Sequence, residues 1–372
     1  MKNPLANPGA VSVSWLLCAL CCSPTQTGWA QQFQPGDLFL GEGNGQIYQY
    51  RYTSSVSVLY NQTGPGFYVY GMCFNTKGEY LYATGAVGTT SGRISRFGNT
   101  GILLNGIWGP GYSSGRYPLS CVADAMGNLY VGDAVGIGVT GPQVRRLGAD
   151  GSLLGYLSPA TVETGFQGMD LASDQCSLHY MSGGMIKRFD VCTNSQLSDF
   201  ANAANIGGSN TKCSDLRMRK NGELLVACSA RVIRLNTSGQ LIRAYEASYY
   251  QLDRSQTAPL VAVSLDPDGT SFWAATSQYG LLPGRVIKID IASGQLKTFF
   301  ELTTFNSLAV FRAPSAAVTE CSDGIDNDLN GLIDYPADPK CSSARDVFER
   351  RCFVLWGRTF CLVQIRMPKK WW

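Results

Sequence analysis

Histidine is almost missing from this chain: among 372 residues there is one, His179. It stands in an apolar run, Leu178-His179-Tyr180, where a core or hydrogen-bonded role is expected. Charge is scarce as well, with Asp, Glu, Lys and Arg together at 15% and a formal net charge of +3. No basic run precedes the last residues, so the composition does not point to nucleic acid. Apolar runs long enough to cross a bilayer are lacking. Residues 11–22 and 352–365 are both too short, and Arg358 interrupts the second. The sequence also has no nucleophile elbow, phosphate-cradling loop or zinc-ligand spacing.

Glycine is abundant, at 42 residues, and so are short strand-like segments between tight turns. Residues 214–245 set the pattern, reading as four strands. Leu216 and Met218 alternate with Arg217 and Arg219, as in a strand with one buried face. The turns Lys220-Asn221-Gly222 and Asn236-Thr237-Ser238-Gly239 end on glycine, where positive φ is easiest. The first strand of this unit recurs at Met72-Cys73-Phe74, Ser120-Cys121-Val122, Met169-Asp170-Leu171 and Val263-Ser264-Leu265. Counted with Met218 in its place, the last residues are 48, 49, 47 and 47 apart.

Five complete four-stranded units result. The segment from Asp37 to Tyr60 supplies strands two to four of a sixth, and residues 306–311 supply its missing first strand from the other end. Four strands per repeat of this length mark a β-propeller. One four-stranded sheet cannot bury both faces, so blades stack around an axis to make the core. The expectation is an all-β, six-bladed β-propeller over residues 36–313, closed by its C-terminal strand and followed by a small loop-rich calcium-binding extension.

Residues 1–30 have the layout of a secretory signal. Lys2 precedes the apolar run, and Gly28 and Ala30 occupy the −3 and −1 positions of a cleavage site. Lipid attachment at Cys18, Cys21 or Cys22 is the alternative, though Leu or Cys rather than a small residue precedes each. A secreted or periplasmic location follows. Ten of the 13 cysteines remain after cleavage, as an oxidising compartment allows. The strand map sets Cys213 beside Cys228 and Cys176 beside Cys192. Cys321 and Cys341 bracket an acidic segment, and Cys352 and Cys361 lie in the tail. Cys73 and Cys121, at the same repeat position in neighbouring blades, are the remaining candidate pair, and the separation of inner strands is the argument against a bridge there.

After a linker, 314–320, the bracketed segment 321–341 reads CSDGIDNDLNGLIDYPADPKC. Asp326, Asp328 and Asn330 fall at positions 1, 3 and 5 of a calcium loop, and Gly331 falls at its sharp turn. Leu332 offers a carbonyl at position 7, and Asp334 is at position 9. Ala337 stands where a Glu is usual, and Asp338 follows it. Alternating oxygen donors without sulfur or imidazole suit a hard cation, so calcium is the expected cofactor. A solvated acidic turn is the plain alternative. The segment resembles the cysteine-bracketed C-x-D-G-x-D-N-D-x-D-G-x-x-D repeats of secreted bacterial proteins, which are similar to thrombospondin type 3 calcium repeats. Asn330 replaces the Asp usual there, which removes one charge and weakens binding. The tail, 342–372, is basic and aromatic.

In a propeller the loops after strands one and three share one end, and those after strands two and four share the other. Here the first set is tight and the second long. The long loops carry the candidate ligand residues Tyr68, Trp108, Tyr112, Asp133, Phe166, Tyr250 and Tyr279. Packing within their own loops is the alternative for each. The basic third-strand positions, Arg96, Arg146, Arg188, Arg234 and Lys288, lie away from the axis. Salt bridges and stem packing explain them better than a binding ring does.

On these repeats, residues 36–313 resemble the NHL and SMP-30/gluconolactonase group of propellers, to which the streptogramin lyases are similar. The resemblance implies the fold. It also implies three options: metal-dependent lactone hydrolysis at a Glu/Asn/Asp cation site on the axis, a lyase reaction using a catalytic histidine, or binding alone. A single histidine inside a strand speaks against the lyase. Asp170, Asp215 and Asp133 are the acids placed for a cation, with structural roles the plainer reading. The reading taken forward is a monomeric binding protein that presents its long-loop face to a protein, glycan or small-molecule ligand. The alternative is a metal-dependent hydrolase of the lactonase type.

Overall fold

The computed structural model describes residues 32–51, 54–61, 67–87, 91–136, 139, 141–182, 184–202, 206, 213–228, 231–246, 260–276, 284–302, 305–313, 319–321, 331–333, 335, 337–341, 346, 351–355 and 358–362. The chain divides after Gln31, and the first unit, with the expected signal segment, lies outside these residues.

Six antiparallel four-stranded sheets build the propeller. Blade 1 takes its inner strand, Phe305–Val310, from the far end of the ring. That strand pairs with Leu38–Glu42, and Gln46–Arg51 and Ser54–Asn61 complete the sheet. Blades 2 to 6 run in chain order from inner strands Phe67–Phe74, Arg116–Ala123, Met169–Leu171, Cys213–Met218 and Leu260–Leu265.

Burial follows position in the blade. Second strands are covered on both faces, so Leu129–Val135, Leu224–Cys228 and Ser271–Thr276 are buried throughout. Third strands such as Arg231–Leu235 alternate more. Fourth strands are edges and expose residues such as Leu154 and Leu241. Among the described residues the core forms six hydrophobic clusters, one for each gap between neighbouring blades. The gap that closes the ring holds Ala262, Trp273 and Val286 of blade 6 against Leu38, Leu40 and Phe305 of blade 1. Each such fully buried large side chain contributes about 2 kcal/mol. The closing strand is therefore part of the core rather than an accessory.

The expected turn chemistry holds with one substitution. Gly78, Gly127, Gly222 and Gly269 take positive φ between inner and second strands, whereas blade 4 has Gln175 there at φ 59°. Gln175 is fully buried, and its Oε1 accepts a hydrogen bond of 2.7 Å from Ala125 N in blade 3. A cross-blade bond thus offsets a backbone conformation that costs a non-glycine residue about 1 kcal/mol.

Disulfides join Cys176–Cys192, Cys213–Cys228 and Cys321–Cys341, as the strand map implies. Cys352 and Cys361 are directly opposite in the tail hairpin of Arg351–Leu355 and Arg358–Leu362, but their side chains lie outside the described residues. Cys73 and Cys121, the pair against which strand separation argued, are bridged, with Cα atoms 5.8 Å apart. The two are not at equivalent positions. The inner-to-second-strand turn starts at Asn75 in blade 2 and Asp124 in blade 3, so the counterpart of Cys73 is Val122. That one-residue offset brings a cysteine of each strand to the same point between blades.

The basic third-strand positions are structural. Arg234 pairs with Glu223 at 2.8 Å and Lys288 with Asp266 at 2.9 Å. The Arg188 Nη2 donates to Ser198 Oγ, and Arg96 covers the Tyr80 ring at 4.8 Å.

Candidate functional site: an axial cavity

The inner strands share one irregularity. Pairing with the next strand slips by one residue at Tyr70, Leu119, Ser214, Val261 and Asn306, each the extra residue of a β-bulge. In blade 4, Gln167 lies just before the short inner strand. All six residues line one cavity of about 800 Å³. Bulges redirect a side chain and release local pairing, so they concentrate at sheet rims and sites. The carbonyls freed here find partners across the blades: Thr84 Oγ1 donates to Leu119 O at 3.2 Å and Ser214 Oγ to Leu260 O at 2.6 Å. In blades 2 and 4 the residue after this position is a glycine, and there the axis has no room for a side chain. A Cβ at Gly71 would run into Leu119 O, and one at Gly168 would lie 2.6 Å from the Asp215 Cα.

Three residues further along each strand, a second ring lines a smaller pocket of about 110 Å³ at the turn end: Cys73, Val122, Asp170, Arg217, Ser264 and Ala309. Arg217 also lines the larger cavity, as do Met72, Cys121 and Met169, so these four mark the level where the two spaces meet.

The wall of the large cavity is aromatic on one side. Tyr68 and Tyr70 are stacked, with centroids 6.0 Å apart and planes at 10°, and Tyr117 follows at 5.7 Å from Tyr70. Burial and the two neighbouring phenols push the Tyr70 hydroxyl up, keeping it neutral. Polar side chains line the rest of the cavity, with Gln167, Ser214 and Asn306 from blades 4, 5 and 1, and Glu163 stands at the exposed rim.

Two aspartates near the axis are tied into the scaffold. Asp170 Oδ2 accepts Met218 N of blade 5 at 2.7 Å, and Asp215 Oδ2 accepts Val263 N of blade 6 at 3.0 Å. Their other oxygens accept Leu171 N and Leu216 N, both at 2.9 Å. Arg217 Nη1 adds a bond of 2.7 Å to Asp215 Oδ1. Burial pushes both carboxyls up, Asp170 to about 6. A lactonase cation needs several carboxylate and amide oxygens converging on the axis. Among the described residues lining the large cavity, the carboxylates are Asp215, whose two oxygens are engaged, and Glu163 at the rim. That set does not fit an axial metal.

The expected ligand residues separate in the structure. Tyr68 lines the cavity, but it lies in an inner strand rather than a loop, because the strand continues past the bulge. Trp108 is buried between blades 2 and 3, its ring 4.8 Å from Tyr82. Phe166 is buried between blades 3 and 4, edge-on to Tyr180. Asp133 is fully buried in the second strand of blade 3, not in a loop, and is bonded to Gln143 N and Arg116. Tyr112 lies beneath the Arg145 guanidinium at 3.5 Å. Tyr250 and Tyr279 lie outside the described residues. The sequence reading missed the bulge ring and the cavity role of Arg217. The available signal was the shared spacing of Tyr70, Leu119, Gln167, Ser214, Val261 and Asn306.

His179 is buried, edge-on to Phe200, and burial lowers its imidazole to about 4. A neutral, enclosed ring of this kind is a core residue. The one compact group of potential metal ligands among the described residues is Cys176, Asp190 and Cys192, and its cysteines are a disulfide. In the C-terminal segment, Asp326, Asp328, Asn330 and Asp334 lie outside the described residues. Gly331 has φ 87°, Leu332 is exposed, and the buried Asp338 accepts Lys340 N at 2.8 Å.

Fold and cavity together define a six-bladed β-propeller with an axial site. No family model matches the sequence, nor does any curated protein. Among solved structures, a protein of unknown function from Bacteroides caccae is similar at TM-score 0.57 and 15% identity, covering 75% of this chain and 100% of that one. A putative 6-phosphogluconolactonase from Bacteroides uniformis aligns at TM-score 0.49 and 13% identity, over 72% of this chain and 84% of that one. A gluconolactonase from Xanthomonas campestris aligns at 0.48 and 14%, over 66% and 84%. At these identities the likeness is one of fold.

Proposed function

We propose that this protein binds a small molecule in the axial cavity, outside the cytoplasm. The supporting observation is a ring of five bulge residues completed by Gln167: every blade contributes one residue to the lining of a single cavity of about 800 Å³ beside a three-tyrosine wall. That size and mix of aromatic and convergent polar groups suit a small ligand better than a flat protein surface. The four disulfides among the described residues fit an oxidising compartment, and no helix there is long and apolar enough to cross a membrane.

Hydrolysis of a lactone in the same cavity is the second reading, favoured by the resemblance of the repeats to the gluconolactonase group. The lactonase names of the fold neighbours make sugar lactones the first compounds to test. Because the described carboxylates do not fit an axial metal, no metal-dependent step is assigned. Calcium belongs to the C-terminal segment in this proposal. Asp326, Asp328, Asn330, Asp334 and the Leu332 carbonyl would hold it, with Asp338 closing the shell, and Gly331 supplies the left-handed turn. The ion there would order the segment rather than take part in chemistry.

The test is a calorimetric panel of sugars, sugar lactones and small acids against the wild type and Val261→Trp, which fills the cavity from the bulge ring. Binding lost in Val261→Trp supports the axial site. Binding unaffected by the plug, or absent across the panel, overturns it. Release of acid from a lactone by the wild type, lost in the plugged variant, would replace binding with hydrolysis.

A further inference from the structure

In the lower axial ring, the repeat asks for little. Cys73, Val122, Ser264 and Ala309 fill the position with small or apolar side chains, and Asp170 bonds the backbone of the next blade. Arg217 departs from this. It pairs with the buried Asp215 and lines both the lower ring and the large cavity. Its Nη1 is fixed by Asp215 Oδ1 at 2.7 Å and Leu216 O at 2.6 Å. Asp215 is fixed in turn by Leu216 N and Val263 N. Nε and Nη2 make no hydrogen bond among the described residues, and the side chain is 21% exposed. Other arginines engage two guanidinium nitrogens where Arg217 engages one: Arg51, Arg234 and Arg285 hold a carboxylate through both Nε and Nη2, and Arg243 holds carbonyls through Nη1 and Nη2.

We infer that Arg217 is an anchor for the carboxylate of a ring-bearing ligand, whose ring lies against the Tyr68–Tyr70–Tyr117 wall. A guanidinium offers parallel N–H donors that match a planar carboxylate in two bonds, and one already oriented by a buried carboxylate loses little freedom on binding. The tyrosines present broad amphipathic faces that suit a flat or saturated ring. Gln167 and Asn306, in the blades on either side of the tyrosine wall and without side-chain hydrogen bonds among the described residues, add neutral donors and acceptors to the cavity. This inference rests on the axial-cavity reading and adds the charge and shape of the ligand to it.

The test uses the full-length mature chain and a panel of ring monocarboxylates, each paired with its neutral primary amide, titrated by calorimetry. The expected result is that at least one acid binds the wild type and its amide binds weaker by a factor of about 30 or more. Arg217→Met should lose the acid by a similar factor without gaining the amide, while Arg217→Lys retains part of the affinity. Melting curves of both variants report folding separately, and Arg217→Lys preserves the charge beside Asp215 if Arg217→Met does not fold. Equal binding of acid and amide, or of the acid by wild type and folded Arg217→Met, overturns the anchor and leaves the cavity reading intact. Binding by no compound overturns both.

Discussion

Two buried groups should pull the stability of this propeller in opposite directions as the solution is acidified. Asp170 ordinarily titrates near 3.8 and in the fold near 6, because burial outweighs its bonds to Met218 N and Leu171 N and the nearby Arg217 charge. The fold therefore favours its protonated form. That contribution is complete below pH 3.8 and is lost as pH rises through 6. His179 runs the other way. Burial lowers its imidazole from 6.5 to about 4, so the fold favours the neutral ring. Its contribution is complete above pH 6.5 and is lost as pH falls through 4. At 1.36 kcal/mol per tenfold change in proton affinity, each amounts to about 3 kcal/mol. Acidification from neutrality to pH 4 thus gains at Asp170 about what it loses at His179. Asp170→Asn should become acid-sensitive, losing up to about 3 kcal/mol across that interval relative to wild type. His179→Gln should gain a similar amount. Urea unfolding of the three proteins from pH 4 to pH 7 measures this, with the slope against pH as the readout rather than absolute stability. An Asp170→Asn curve parallel to wild type would refute the reasoning.

The close approach of inner strands predicts that Gly71→Ala, which drives a Cβ into Leu119 O, costs about 2 kcal/mol or more by thermal melting. Gly111→Ala, with open space around it, should stay within about 0.5 kcal/mol. The C-terminal segment predicts one calcium site, seen by calorimetry and lost in Asp326→Ala/Asp328→Ala. No binding at millimolar calcium would remove the ion from the account, and a second site surviving the double substitution would restore an axial cation.

The architecture was legible in the sequence because a propeller writes its period into every blade. The same alternation that marks Leu216 and Met218 recurs about every 47 residues, and the missing strand of blade 1 had an obvious candidate at residues 306–311. The three hairpin or bracketing disulfides followed from strand order. The site was less legible, for reasons that are geometric. Bulges do not change composition, so Tyr70, Leu119 and Val261 looked like ordinary strand or loop residues. Exposure was misjudged where aromatics stand in long connections. Trp108 and Phe166 occupy such connections yet fill gaps between blades, because a loop crossing to the next blade passes directly over the core. Cys73 and Cys121 were misread through one residue of register, a slip that moves a side chain from one face of a strand to the other.

Amide hydrogen exchange with the tightest compound of the binding panel tests the axial site most directly. The account predicts added protection at the cavity mouth, on residues 70–72, 119–121, 214–217, 261–263 and 306–308, with the outer strands unchanged. Protection confined to the outer strands, or to the tight-turn face, would contradict it.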